Sequence, residues 1–205
     1  MAITLVIDGE TVNVIGAHAP QVGRSEVEKK SFWDSLDELV WECLSDHRLI
    51  IGGDLNGHIG AAADGYAGVH GGFGFRVRND EGRSILEFAT AHDLVVANSF
   101  FKKRDVHLIT FQSGGHETQI DYLLVRRRDL RVCRDCRVFP SEVCSSQHKL
   151  LALDALFERR HPRRVAIGWP RILWKNLNGE VAELFRGKVL ERLSTQSDSR
   201  DADQM

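Results

Sequence analysis

Four short stretches of the sequence carry side chains suited to chemistry. The sharpest is Gly52-Gly53-Asp54-Leu55-Asn56-Gly57-His58, where an apolar run ends, two glycines remove bulk, and an acid and an amide follow two residues apart. If the extended geometry of Leu49-Ile50-Ile51 persists, Asp54 and Asn56 project from one face. A carboxylate beside a carboxamide offers hard oxygen ligands for Mg²⁺ and a donor for a phosphate, and Asp54 can orient or deprotonate a water. Asp-x-Asn after a strand is equally a common capped turn. The second stretch is Gln119-Ile120-Asp121-Tyr122-Leu123-Leu124-Val125. Asp121 is a charge in an otherwise apolar run, and a buried carboxylate is costly unless paired or metal-bound. An outward-facing residue on a half-exposed strand is the plain alternative. The third is Ser145-Ser146-Gln147-His148-Lys149, whose histidine can hydrogen-bond a phosphate or take a proton near neutral pH. The fourth is His18, in Ala17-His18-Ala19-Pro20. Asp, Asn, Asp and His at strand ends suit metal-assisted hydrolysis of a phosphodiester.

The elements that must position these groups are legible around them. Ile3 to Ile7 and Val12 to Ile15 flank Asp8-Gly9, the pattern of a β-hairpin. Ser25 and Glu28 form a capping-box pattern, and Phe32, Leu36, Leu39, Val40 and Cys43 follow at helical spacing, so a helix is expected over about 25–45. Leu49-Ile50-Ile51 is a short buried strand. Asn79 or Asp80 can cap a second helix, and Leu94 to Ala97 is another buried strand. His107 to Phe111 and Gln119 to Val125 bracket Gly114-Gly115 and are expected to pair as a hairpin. Arg131 to Phe139 and Lys149 to Phe157 are further strands. Residues 159–175 carry six Lys or Arg and no acid, which marks a basic linker, and a final helix is expected over about 178–193 before a polar, disordered end. The mixture points to an α/β protein with a mixed or largely antiparallel sheet.

Composition bounds the rest. The 205 residues suffice for one domain with an appendage, and 42% apolar with 27% charged residues excludes collagen-like, disordered and disulfide-scaffold classes. With 27 basic against 29 acidic residues the net charge is −2, so a strongly basic coat for nucleic acid is excluded and a polyanion site must be a local patch or depend on metal. No apolar run is long enough to span a membrane, and the start lacks the features of a signal peptide. The expected location is therefore the nucleus or cytoplasm, with the four cysteines as thiols. Ten of the 18 glycines fall between Gly52 and Gly82, which marks either a functional edge or a flexible insertion. Cys133-x-x-Cys136 has no second pair and is a weak zinc signal. The run Arg126-Arg127-Arg128 is either a phosphate contact or a solvated strand end.

Gly53-Asp54-Leu55-Asn56, Gln119-Ile120-Asp121-Tyr122 and Ser146-Gln147-His148, in this order, resemble three motifs of the endonuclease/exonuclease/phosphatase superfamily, the DNase-I-like fold. The nearer resemblance is to the endonuclease domain of non-LTR (LINE) retrotransposons and to the craniofacial development protein 2-like sequences derived from them. Asn13 to Gly23, His92 to Phe101 and His107 to Ser113 add to it, and Trp174 to Val189 resembles the connector to reverse transcriptase. The resemblance implies a four-layer α/β sandwich over residues 1–157, incomplete because the family's first strands are missing, then a linker over 158–177 and a connector helix and tail over 178–205. It implies Mg²⁺-dependent cleavage of DNA, with a reverse transcriptase downstream in the parent element and no membrane partner. Carried over to this chain, Asp54 orients or activates the attacking water, and Asn56 binds the phosphate and helps hold Asp54. These two are the metal ligands present. Asp121 positions the catalytic histidine or contacts DNA, and His148 contacts the scissile phosphate. Thr110 falls in the hairpin region near the DNA target, and Arg126 and Arg127 are the accompanying phosphate-contact candidates. Three departures stand out. The family's Glu ligand belongs to the missing strands, His18 stands where the family has Tyr, and Gln147 stands where it has Asp. The expectation is a degenerate endonuclease, weakly active or inactive, with a non-catalytic remnant that at most binds nucleic acid as the alternative.

Overall fold

The expected hairpin opens the structure, a computed structural model that describes residues 1–144, 147–156 and 178–198. Strands β1 (Ala2–Ile7) and β2 (Glu10–His18) pair antiparallel about Asp8 and Gly9, whose φ of 51° and 82° are the left-handed values that a tight two-residue turn requires. Helix α1 (Glu26–Glu42) starts at the capping box: Glu28 N–H donates to Ser25 Oγ at 3.3 Å, and Ser25 N–H donates to the Glu28 carboxylate at 3.0 Å. The chain then returns as β3 (Arg48–Asp54), parallel to β2, a connection that needs a helical crossover. Helix α2 (Asp80–Ala91) is capped by Asn79, whose Oδ1 accepts from Gly82 N–H at 2.8 Å. There follow β4 (Leu94–Val96), β5 (Phe111–Ser113), β6 (His116–Thr118), β7 (Asp121–Arg126), β8 (Cys133–Val143) and β9 (Lys149–Ala155). Helix α3 (Glu180–Asp198) lies in the second of two compact units, residues 1–160 and 161–205.

Five strands form one mixed sheet in the order β1-β2-β3-β7-β4, and β8 with β9 forms a second. Alternation along the central strands supplies both faces. Leu49, Ile51, Tyr122 and Leu124 pack with Leu36, Val40, Ile85 and Leu86 of the two helices. On the opposite face, Val95, Ala97 and Val125 meet Ile50, Leu123, Cys133 and Leu153, the last two from β8 and β9. The result is a helix layer, a five-stranded sheet and a two-stranded sheet. Edge strand β1 is exposed at all six residues.

Two expectations about elements change. Gln119 to Val125 does not pair with His107 to Phe111: the hairpin around Gly114-Gly115 is the shorter β5–β6 pair, and β7 lies between β3 and β4. A run apolar on both faces is satisfied in the middle of a sheet, not in a surface hairpin. Helix α3 continues to Asp198, past the expected end at 193. The basic linker lies outside the described residues. Among the described residues no helix is long and apolar enough to cross a membrane.

Between β3 and α2 the glycine-rich segment has no helix or named strand, yet it is pinned. Arg78 donates from Nε to Ile59 O (2.9 Å), from Nη1 to Asp64 O (3.0 Å) and from Nη2 to Ala62 O and Ala63 O (2.6 and 3.0 Å). His70 is fully buried: Gly72 N–H donates to its Nδ1 at 3.0 Å, which puts the ring proton on Nε2, facing Gly60 O at 3.1 Å. Burial pushes the His70 pKa below its ordinary value.

Candidate active site

The pairing of three adjacent strands sets the site. His18 ends β2, Asp54 ends β3 and Asp121 begins β7, and the register places His18 opposite Asp54 and Asp54 opposite Asp121. Residues opposite one another on paired strands project to the same side, so three polar side chains form one row at one end of the sheet. Gly53 lets the strands close here: its φ is 145°, and a Cβ would fall 1.9 Å from Ala17 O.

Beyond Asp54 the extended geometry stops, contrary to the premise that Asp54 and Asn56 share a strand face. Leu55 is buried and Asn56 turns into the left-handed region with φ 49°, a conformation asparagine tolerates. The two side chains are joined instead through the turn: Asn56 N–H donates to Asp54 Oδ1 at 2.9 Å, and Asn56 Nδ2 donates to Ala19 O at 2.8 Å. Asp54 Oδ2 faces two imidazoles, 3.8 Å from His18 Nδ1 and 4.0 Å from His148 Nε2. His148 is delivered from the other sheet by a bridge to Phe111, and its ring packs edge-on against Phe111 at 4.9 Å. Its Nδ1 lies 3.1 Å from Asp121 Oδ2. An ionised carboxylate only accepts, so Nδ1 carries the proton and Nε2 points toward Asp54. Burial pushes the Asp54 carboxyl above the usual carboxylate range, and Asp121 adds to it, while the Asn56 N–H and the two imidazoles pull the other way.

Several supporting groups have roles that the sequence did not assign. Tyr122 is fully buried, and its hydroxyl shares one proton between Gly57 O at 2.8 Å and Gln119 O at 2.7 Å, tying the Asp54 loop to the start of β7. Asn98 is buried and bonds the β7 backbone on both sides of Tyr122, donating to Asp121 O at 3.2 Å and accepting Leu123 N–H at 2.9 Å. A buried amide directly after an apolar strand was the one available clue. Gln147 Nε2 donates to Ser113 Oγ at 2.7 Å, so this side chain serves the β5–β6 hairpin. Ser146 lies outside the described residues.

The donor set decides the fit to Mg²⁺. Among the described residues no group of three His, Cys, Asp or Glu is arranged to hold a metal ion. Mg²⁺ is commonly held by one or two carboxylates, with waters and substrate phosphates completing its shell. Asp54 and Asn56 fit that shared mode, and a cation would relieve the two carboxylates paired in register.

Solved structures share this fold over about three quarters of the chain. The endonuclease domain of TRAS1, a telomere-specific non-LTR retrotransposon, superposes with a TM-score of 0.52 at 13% identity, covering 77% of this chain and 64% of that one. The AP endonuclease LMAP of Leishmania major gives 0.55 at 17% identity over 77% and 54%. The 3'-5' exonuclease NExo of Neisseria meningitidis gives 0.54 at 14% over 76% and 65%. The fold is that of the endonuclease/exonuclease/phosphatase superfamily. In sequence the chain is similar to craniofacial development protein 2 of Bos taurus, 31% identical over 153 residues that make up 73% of this chain, and to that of Tragulus javanicus at 32%. It spans 26% of the length of these relatives. No family model matches the chain.

Within this endonuclease/exonuclease/phosphatase fold, His18, Asp54, Asn56, Asp121 and His148 come together, and three expected substrate contacts do not join them. Thr110 is fully buried, and its Oγ1 accepts the N–H groups of Ile120 and Asp121, each at 3.0 Å, so its hydroxyl faces inward. Arg126 stands at the far end of β7, about 17 Å of strand from Asp121. Its Nε donates to His47 O (3.0 Å) and its Nη2 to Cys43 O and Leu44 O (3.3 and 3.2 Å), capping the carbonyl end of α1. Arg127 bonds Asp93 Oδ1 at 2.6 Å and the carbonyl of Gly68. Both arginines hold the fold together. In the cysteine pair burial raises both thiols, pushing Cys136 up to about 12.

Proposed function

We propose that this chain carries the catalytic part of a Mg²⁺-assisted phosphodiesterase acting on DNA, of the retrotransposon-endonuclease kind, turning over slowly. The observation that supports it is the row His18–Asp54–Asp121 closed by His148, with His148 Nδ1 held 3.1 Å from Asp121 Oδ2. Asp54 and Asn56 would hold the cation, which when bound neutralises charge on the phosphate. Asp54 orients a water and takes its proton as the oxygen attacks phosphorus. The P–O bond opposite breaks and the leaving oxygen is protonated from solvent. Asp121 fixes the tautomer of His148, leaving Nε2 to meet the phosphate. His18, exposed at the rim, adds a second imidazole on the other side of Asp54. The slow rate follows from Gln147, which is engaged with Ser113 and supplies no carboxylate beside His148. The non-catalytic alternative rests on Arg126 to Arg131 and the basic linker; Arg126 and Arg127 donate within the protein to backbone carbonyls and to Asp93, and the linker lies outside the described residues.

Incubation with supercoiled plasmid and Mg²⁺ tests the proposal. Open circles accumulating above the Asp54→Ala background, and vanishing with chelator, are expected. Nicking no faster than Asp54→Ala would refute it.

A further inference from the structure

Both backbone polar groups of Asp121 are bonded to buried side chains. Its N–H, together with that of Ile120, points at Thr110 Oγ1 at 3.0 Å, and its carbonyl accepts from Asn98 Nδ2 at 3.2 Å. Thr110 is bonded on its other side as well. Its carbonyl accepts the N–H of Lys149, the residue after His148, at 2.8 Å, and its own N–H donates to Thr118 O at 3.0 Å. One buried threonine therefore reaches the backbone of Asp121 on one side and the backbone adjoining His148 on the other. Asp121 begins β7 and His148 directly precedes β9, a strand of another sheet, with no ladder between β7 and β9 to fix their separation. The Thr110 hydroxyl has two lone pairs, and two N–H groups occupy them, so it has no acceptor left for a ligand.

Building on the phosphodiesterase reading above, we infer that Thr110 is a positioning residue that sets the spacing of the Asp121–His148 pair. Valine keeps the shape of threonine and removes the acceptor, leaving two inward-facing N–H groups without a partner and Asp121 free to shift against His148. Serine keeps the acceptor. A shift of about 1 Å at a reacting centre lowers a rate by about 100-fold.

The test combines plasmid nicking at varied DNA concentration with NMR of the His148 imidazole, whose Nδ1 proton is slow to exchange while Asp121 holds it. For Thr110→Val the expected result is kcat down by about 100-fold with KM little changed, together with loss of the slow Nδ1 proton. Thr110→Ser should keep both. If Thr110→Val keeps kcat and the Nδ1 signal, or if Thr110→Ser loses as much as valine does, the inference is overturned. A wild-type chain that shows the Nδ1 signal without nicking refutes the phosphodiesterase reading instead, and Thr110 is then judged on the signal alone. Should Thr110→Val not fold, Thr110→Cys, with a similar volume and only a weak acceptor, is judged by the same two outcomes.

Discussion

Strand β3 begins at Arg48 and ends at Asp54, and charged side chains gather around both residues. At the first end Arg48 bonds Glu10 through Nε and Asp129 through Nη1, with all three side chains only 11–12% exposed. Opposite charges meet in direct hydrogen bonds, and this cluster joins the β1–β2 turn, β3 and the segment after β7. At the second end two carboxylates stand opposite each other, and the imidazoles near Asp54 stay 3.8 and 4.0 Å away, outside hydrogen-bond reach. The same strand thus ends once in a joint of opposite charges and once in a pair of carboxylates eased by the Asn56 N–H and the His148 ring. The second is the arrangement that leaves a group ready to take a proton or a cation.

Substitutions can break that contrast. The largest effect is expected for His148→Asn, which should slow plasmid nicking by about 10²- to 10⁴-fold while the urea midpoint stays in place. Arg48→Met should do the reverse. Removing Arg48 takes away the guanidinium bonded to two nearly buried carboxylates and should lower unfolding free energy by about 3–5 kcal/mol in urea titrations, with nicking retained by the folded fraction. A third prediction concerns pH. His70 has a folded pKa depressed below the ordinary 6.5 by burial, so its neutral form is the one the fold prefers. Its contribution is present above pH 6.5 and lost as the pH falls through and below that value, when the ring must charge and release Gly72 N–H. The urea midpoint of the wild type should fall more steeply between pH 7.5 and 5.5 than that of His70→Gln. The smallest effect is expected for Arg127→Ala. Its ion pair with Asp93 is exposed, worth about 0.2–1 kcal/mol, and the salt dependence of DNA binding should not change.

Much of this was legible in the sequence wherever the signal is local. Ser25 and Glu28 announced the start of α1, Asp8-Gly9 the first turn, and Asn79 the cap of α2. Asp54, Asn56, Asp121 and His148 stood out because a polar group after or inside an apolar run demands an explanation, and the fold gathers all four at one sheet end. What stayed hidden depends on partners far along the chain. A run of arginines reads as a phosphate patch until the carbonyls of Cys43, Leu44 and His47 are seen beneath Arg126, about 80 residues earlier. Thr110 looks like a surface hairpin residue until β7 enters the sheet and turns its first N–H groups back onto the hydroxyl. The strand alternation around Gly114-Gly115 marks strands but does not name their partners, so the pattern alone pairs β7 with a hairpin that the structure gives to β5 and β6.

The pinning of the glycine-rich segment has a consequence for how the chain meets proteases. A trypsin-like enzyme must draw an arginine side chain into its own pocket while the backbone on either side lies extended. Arg78 gives its donors to the carbonyls of Ile59, Ala62, Ala63 and Asp64 and lies over the Tyr66 ring at 5.0 Å. At Arg78 the side chain that would invite cleavage also folds the segment, so the bond after Arg78 becomes cleavable only once that turn of chain has come apart.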